Sequence, residues 1–95
     1  MFVILLRFSS NKDKIGQLME GHNAWVKQGL DDGVFLLAGS LQPKAGGAIL
    51  AHNTSLADLQ ERVSQDPFVR EDVVGSEILE ITPSSTDERL SFLVD

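Results

Sequence analysis

The sequence has no cysteine and no tyrosine, one tryptophan and two histidines in 95 residues. Without cysteine there is no disulfide scaffold, no thiol nucleophile, no thiolate zinc site and no cysteine-ligated cluster. Basic residues are scarce too: eight Lys and Arg stand against fourteen Asp and Glu, a formal net charge of −6. Binding to a phosphate backbone is driven by counterion release and needs a cationic surface. Nucleic acid is therefore not an expected partner, and an anionic membrane surface is disfavoured on the same ground. Long apolar runs are missing as well. The run near the start covers only Phe2–Leu6, whereas a membrane helix needs roughly 20 apolar residues and a secretory signal needs a basic start and a longer apolar stretch. The expected location is the cytoplasm. No G-x-G-x-x-G, Walker or G-x-S-x-G pattern occurs. The two histidines, His22 and His52, lack metal-ligand spacing. Neither a cofactor nor a metal is expected.

What is present is ordinary for a globular chain: 42% apolar and 23% charged residues. The length suits one domain with one core. Residues 2–8 are a continuous apolar run rich in β-branched and aromatic side chains, as in a strand buried on both faces. Ser10 or Asn11 can cap a following helix. Over 13–32, Ile15, Leu18, Met19, His22, Trp25, Val26, Gly29 and Leu30 recur at spacings of three and four, the signature of an amphipathic helix. Gly33 is placed to stop it. Residues 34–41 and 46–52 read as two strands joined by a short turn, hence an antiparallel hairpin. Thr54 or Ser55 can cap a second helix over 56–65, with Leu56, Leu59 and Val63 as its buried stripe. Asp66-Pro67 ends that helix, because a residue before proline is pushed out of the helical region. A fourth strand is expected over 73–82.

The order β-α-β-β-α-β is that of an α+β, ferredoxin-like domain, with two helices on one face of a four-stranded antiparallel sheet. The domain is expected over 1–83, followed by a tail over 84–95. Two helices cover one sheet face only. Yet the first strand carries Phe2, Ile4, Leu6 and Phe8 on one side and Val3 and Leu5 on the other. An open apolar sheet face exceeds what a soluble monomer usually exposes, so a second copy of the chain is the expected cover.

Few residues can carry chemistry. His22 sits in the middle of the apolar helix arc, where an imidazole costs free energy unless hydrogen-bonded. It reads either as a core histidine satisfied by a carbonyl or as a general base in a pocket. Asp66 reads either as a turn or cap residue or as the carboxylate that orients His22. Ser40 at the end of the second strand and Arg7 in the first are candidate ligand anchors, with a turn residue and a solvent-reaching cation as the plainer alternatives. Trp25 is a core residue or a pocket wall. Gly46-Gly47 marks a bulge or a close backbone approach.

Four pieces in this order, H-x-x-W-V at 22–26, DDGVFLLAGSL at 31–41, GGAIL at 46–50 and QDPF at 65–68, resemble the YciI-like (YCII-related) proteins of the dimeric α/β-barrel superfamily. The resemblance implies a homodimer in which two sheets pack face to face. It also implies a site built on a histidine of the first helix and an aspartate before proline, here His22 and Asp66. Where many members carry proline after the glycine that matches Gly39, this chain has Ser40, and the residue before the histidine is Gly21. The tail lies outside the resemblance and is expected across a neighbouring subunit.

With no cofactor expected, the resemblance implies proton-transfer chemistry on a small polar molecule, of lyase, dehydrochlorinase or isomerase type, on an aromatic or lactone ring. His22 would move the proton and Asp66 would hold it, with Arg7, Trp25, Ser40 and Phe68, and also Phe35, as substrate contacts. The alternative is a non-catalytic dimeric module that binds a small metabolite. A purely structural histidine is expected to tolerate leucine, and a catalytic one to lose turnover with little change in stability.

Overall fold

Seven residues rich in β-branched and aromatic side chains, Phe2–Phe8, form strand β1 in the interior of the sheet. A computed structural model of the chain describes residues 1–94. It continues with α1 (Ile15–Asp31), β2 (Phe35–Leu41), β3 (Gly46–Ala51), α2 (Leu56–Ser64), α3 (Pro67–Arg70) and β4 (Val74–Glu80). A 3₁₀ turn at Lys12–Lys14 precedes α1, and a 3₁₀ segment, Glu88–Leu93, follows β4. The strands form one antiparallel sheet in the order β2-β3-β1-β4. This is the expected α+β, ferredoxin-like arrangement, with the one-turn helix α3 inserted between α2 and β4. Among the described residues no helix is long and apolar enough to cross a membrane.

Strand alternation divides β1 cleanly. Phe2, Ile4 and Leu6 are buried beneath the helices, joined by Ile49 and Ala51 of β3, Phe35 of β2 and Leu59, Val63 and Phe68 of α2 and α3. The opposite face carries a cross-strand row that runs the width of the sheet. Leu37 pairs with Leu50, Leu50 with Val3, and Val3 with Leu79. The ends of this row are open to solvent, Leu37 at 51% and Leu79 at 43%. Arg7 and Glu77 occupy the same face and join through Arg7 Nη1 and Glu77 Oε1 at 3.0 Å.

Local chemistry sets the element ends, with some departures from expectation. Ser55, one of two candidate caps, accepts the N–H of Asp58 at 3.1 Å and starts α2. Gly33, at φ 74°, follows the end of α1 as expected. Neither Ser10 nor Asn11 caps α1 through its side chain. The Asn11 amide instead donates to the Glu71 carbonyl at 2.8 Å, tying the loop after β1 to the end of α3. The buried stripe of α2 narrows to Leu59 and Val63, since Leu56 in the first turn is exposed. In α1 only Gly29 is fully buried. A Cβ there would run into the Phe35 ring, so this glycine is what lets α1 lie against β2. Phe92 of the tail meets His52 of its own chain edge-on, ring centroids 5.4 Å apart.

Candidate active site

The segment Gln65–Phe68 builds the site from local rules. Asp66 precedes proline and is extended, at φ −63° and ψ 124°. Pro67 takes the first position of α3, where its missing N–H costs nothing. Asp66 is then the cap of α3, and its Oδ1 accepts the N–H of Phe68 at 3.1 Å. The same Oδ1 lies 2.8 Å from Nδ1 of His22, 44 residues earlier in the chain. The two sequence readings of Asp66, a cap and a partner of histidine, thus meet on one oxygen. Asp66 is wholly buried, and its Oδ2 has no hydrogen-bond partner among the described residues. A carboxylate in that state costs stability unless it is paired, and His22 is its pair.

A carboxylate accepts hydrogen bonds, so the geometry assigns a proton to His22 Nδ1 and leaves Nε2 as the other functional nitrogen. Among the described residues Nε2 has no hydrogen-bond partner. The ring is held by its face as well as its edge. It stacks on Phe68 with centroids 4.1 Å apart and 9° between planes. Its side chain keeps 17% of its surface open to solvent, so the apolar helix arc closes over most of the imidazole but not all of it.

That opening leads to a cleft of about 240 Å³ between α1 and the sheet. The α1 wall is Ile15, Met19, His22 and Asn23, one face of the helix at i, i+4, i+7 and i+8. The floor follows from strand register. On the helix-facing side Ser40 pairs with Gly47, and Gly47 with Leu6. Small residues at 40 and 47 leave that row recessed, whereas Ile49 and Ile4 of the next row belong to the core. Phe8, Phe68 and Val74 complete the cleft. Gly46 borders it too, at φ 130°, and a Cβ there would run into the Leu6 carbonyl. The paired glycines therefore mark a close backbone approach. No Lys, Arg, Asp or Glu lines the cleft among the described residues.

The structure brings together His22, Asp66, Ser40 and Phe68. It does not bring Arg7 to them. Strand alternation turns Arg7 to the opposite sheet face, where it is 58% exposed and paired with Glu77. Trp25 is also displaced from the expected role. Its indole N–H donates to the Arg62 carbonyl at 2.9 Å, and its ring meets Phe35 edge-on at 5.1 Å. Trp25 and Phe35 thus pack behind the histidine rather than lining the cleft. His52 lies against the tail, away from the site. Asn23 was not among the sequence candidates. Its signal was position: it follows the candidate base and lies on the stripe of Ile15 and Met19.

Residues 1–84 match the YCII-related domain family. Among solved structures the chain is similar to 5-chloro-2-hydroxyhydroquinone dehydrochlorinase from Burkholderia phenoliruptrix AC1100, determined in complex with 2,5-dihydroxybenzoquinone. The identity is 12% and the TM-score 0.68, over 85% of this chain and 93% of that one. At this identity the likeness is one of fold. No curated protein matches the chain by sequence.

Proposed function

We infer that this chain, which belongs to the YCII-related family, is an enzyme that moves protons on a small ring bearing hydroxyl or keto oxygens. The observation that carries the reading is the His22–Asp66 pair, 2.8 Å long, at the wall of an otherwise uncharged cleft. The solved relative of the same fold is a dehydrochlorinase of a hydroxylated ring, which supports the same class of chemistry here.

Asp66 holds the imidazole in the Nδ1–H tautomer and balances the charge the ring gains when Nε2 accepts a proton. Nε2 takes that proton from a ring hydroxyl or an acidic ring carbon. The electron pair left behind moves into the ring. His22 returns the proton at a ring carbon, the isomerase outcome. Where that carbon bears a leaving group it is now saturated, and loss of a second hydroxyl proton expels the leaving anion and restores the conjugated ring, the lyase outcome. Ser40 and Asn23 donate hydrogen bonds to the ring oxygens as negative charge grows there. Leu6, Phe8, Ile15, Met19 and Phe68 cover the ring faces.

Size and charge narrow the ligand. A dry apolar cavity of ~150 Å³ already accepts a benzene ring, so about 240 Å³ holds one substituted ring and not a nucleotide. A carboxylate or phosphate would be desolvated there with no cation to meet it. The test is a comparison of 5-chloro-2-hydroxyhydroquinone with 2,5-dihydroxybenzoate on wild type and His22→Ala, by thermal shift and by chloride release. The chlorinated ring is expected to raise the wild-type Tm and to release chloride, with both effects lost in the variant. Preference for the benzoate, or equal binding by His22→Ala, would sink the reading. Binding without turnover would favour the non-catalytic metabolite-binding module.

The open sheet face completes the proposal. Leu37, Leu50, Val3 and Leu79 form an apolar row across all four strands, and a second copy packed sheet to sheet would remove it from water.

A further inference from the structure

His22 and Asp66 come from segments 44 residues apart, so the length of their bond depends on how closely the start of α3 approaches α1. The residue before His22 is Gly21, and the residue after Asp66 is Pro67. These neighbours are themselves in near contact. A Cβ at position 21 would stand 3.2 Å from Cγ of Pro67 and 3.9 Å from its Cβ. The first separation is tighter than the ~3.5–4.0 Å optimum for carbon atoms.

Repuckering can move Pro67 Cγ alone, but any shift of the ring as a whole is constrained. Its ring fixes its own φ, and a planar peptide ties it to Asp66. On its other side Phe68 is stacked on the histidine ring. A shift of the whole ring is therefore handed to the Asp66 carboxylate. Charge-assisted N–H to oxygen bonds are best at ~2.7–2.9 Å, and this one is 2.8 Å, so a displacement of a few tenths of an ångström takes it out of range. Gly16, on the same helix, has nothing within 4 Å of where a Cβ would stand. Glycine weakens a helix interior relative to alanine, and at position 21 the approach of Pro67 gives that weakness a purpose.

We propose that Gly21 is a positioning residue: by carrying no side chain it lets Pro67 seat against α1 and so sets the separation of His22 Nδ1 from Asp66 Oδ1. The proposal deepens, and rests on, the His22–Asp66 reading of the site. Its primary readout needs no substrate.

The test follows the His22 Nδ1–H proton by NMR in the full-length protein. In wild type this proton, held by a carboxylate, should resonate far downfield and exchange slowly with water. Gly21→Ala should shift it upfield and speed its exchange, and Gly16→Ala should leave it in place. Adding Pro67→Ala to Gly21→Ala removes Cγ and should return the resonance toward its wild-type position. An unmoved resonance in Gly21→Ala, or one that Pro67→Ala does not return, overturns the proposal. Should Gly21→Ala not fold, a folded Gly21→Ala/Pro67→Ala protein with the wild-type resonance supports it, and an unfolded one overturns it. Turnover is a separate arm. If the resonance follows this pattern while wild type consumes no hydroxylated ring, the positioning role stands and the enzymatic reading falls.

Discussion

Phe68 holds His22 directly through its ring and, by way of Asp66, through its backbone. The two rings are 9° from parallel with centroids 4.1 Å apart. The Phe68 N–H meanwhile donates to Asp66 Oδ1, the oxygen that faces His22 Nδ1. One short segment, Asp66–Phe68, thereby fixes the imidazole by its edge and its face, which is the preorganisation a proton-transfer site needs.

The pairing changes what a histidine substitution measures. Because Asp66 is wholly buried, His22→Leu removes a partner the carboxylate needs, at about 1–3 kcal/mol, whichever role the histidine has. Stability alone no longer separates a structural from a catalytic His22. Urea denaturation of His22→Leu, Asp66→Leu and the double variant should show the double less destabilised than the sum of the singles, by about 0.5–3 kcal/mol. Additive losses would mean that the two side chains do not interact.

Ligand contacts should divide along the two sheet faces. Ser40 and Asn23 border the cleft, and loss of one hydrogen bond of about 0.5–1.5 kcal/mol weakens binding roughly two- to tenfold. Titration calorimetry with benzene-1,2,4-triol should show that loss for Ser40→Ala and Asn23→Ala. Arg7→Ala should bind as wild type does, because Arg7 pairs with Glu77 on the opposite face. A loss of affinity in Arg7→Ala would mean that a partner subunit carries it into a site.

Sedimentation velocity tests the open sheet face. Wild type should run as a dimer or a multiple of one. Leu37→Glu/Leu79→Lys should run as a folded monomer, since both side chains are exposed in a single chain and their replacement leaves no hole in its core. A monomeric wild type at micromolar concentration would count against sheet-to-sheet packing.

Asp32 offers a pH test remote from the cleft. The Gln28 amide first, and the Arg62 guanidinium second, hold its carboxyl below the usual carboxylate range. A folded-state value below the unfolded one contributes stability that is full above the unfolded value and is lost as pH falls through the folded value. A side-chain NMR titration should therefore place the Asp32 midpoint below that of an unstructured aspartate. Gln28→Ala should move it upward, and so should Arg62→Met, which removes both a hydrogen bond and a positive charge. No change in either variant would contradict the assignment.

Much of the fold was legible because it is written in short-range pattern. The continuous apolar run of 2–8, the helical spacing from Ile15 to Leu30, a cap at Thr54 or Ser55 and the Asp66-Pro67 break depend on neighbours a few residues away, and local pattern encodes such relations directly. The chemical identity of the candidate site was legible for a related reason: an imidazole in an apolar stripe and an aspartate before proline are local anomalies.

Sequence alone determined which side chains are available, the order of strands and helices, and the oddity of His22 among apolar neighbours. Tertiary structure alone decided that Nδ1 of His22 meets Oδ1 of Asp66, that Ser40 and Asn23 share its cleft, and that Arg7 and Trp25 do not. The reason is that alternation puts Arg7 and Leu6 on opposite faces, but which face the helices cover, and what docks beside the cleft, is set by packing between distant segments. Arg7 is near Leu6 in the chain but across the sheet from it, while His22 and Asp66 become neighbours only when α3 docks on α1.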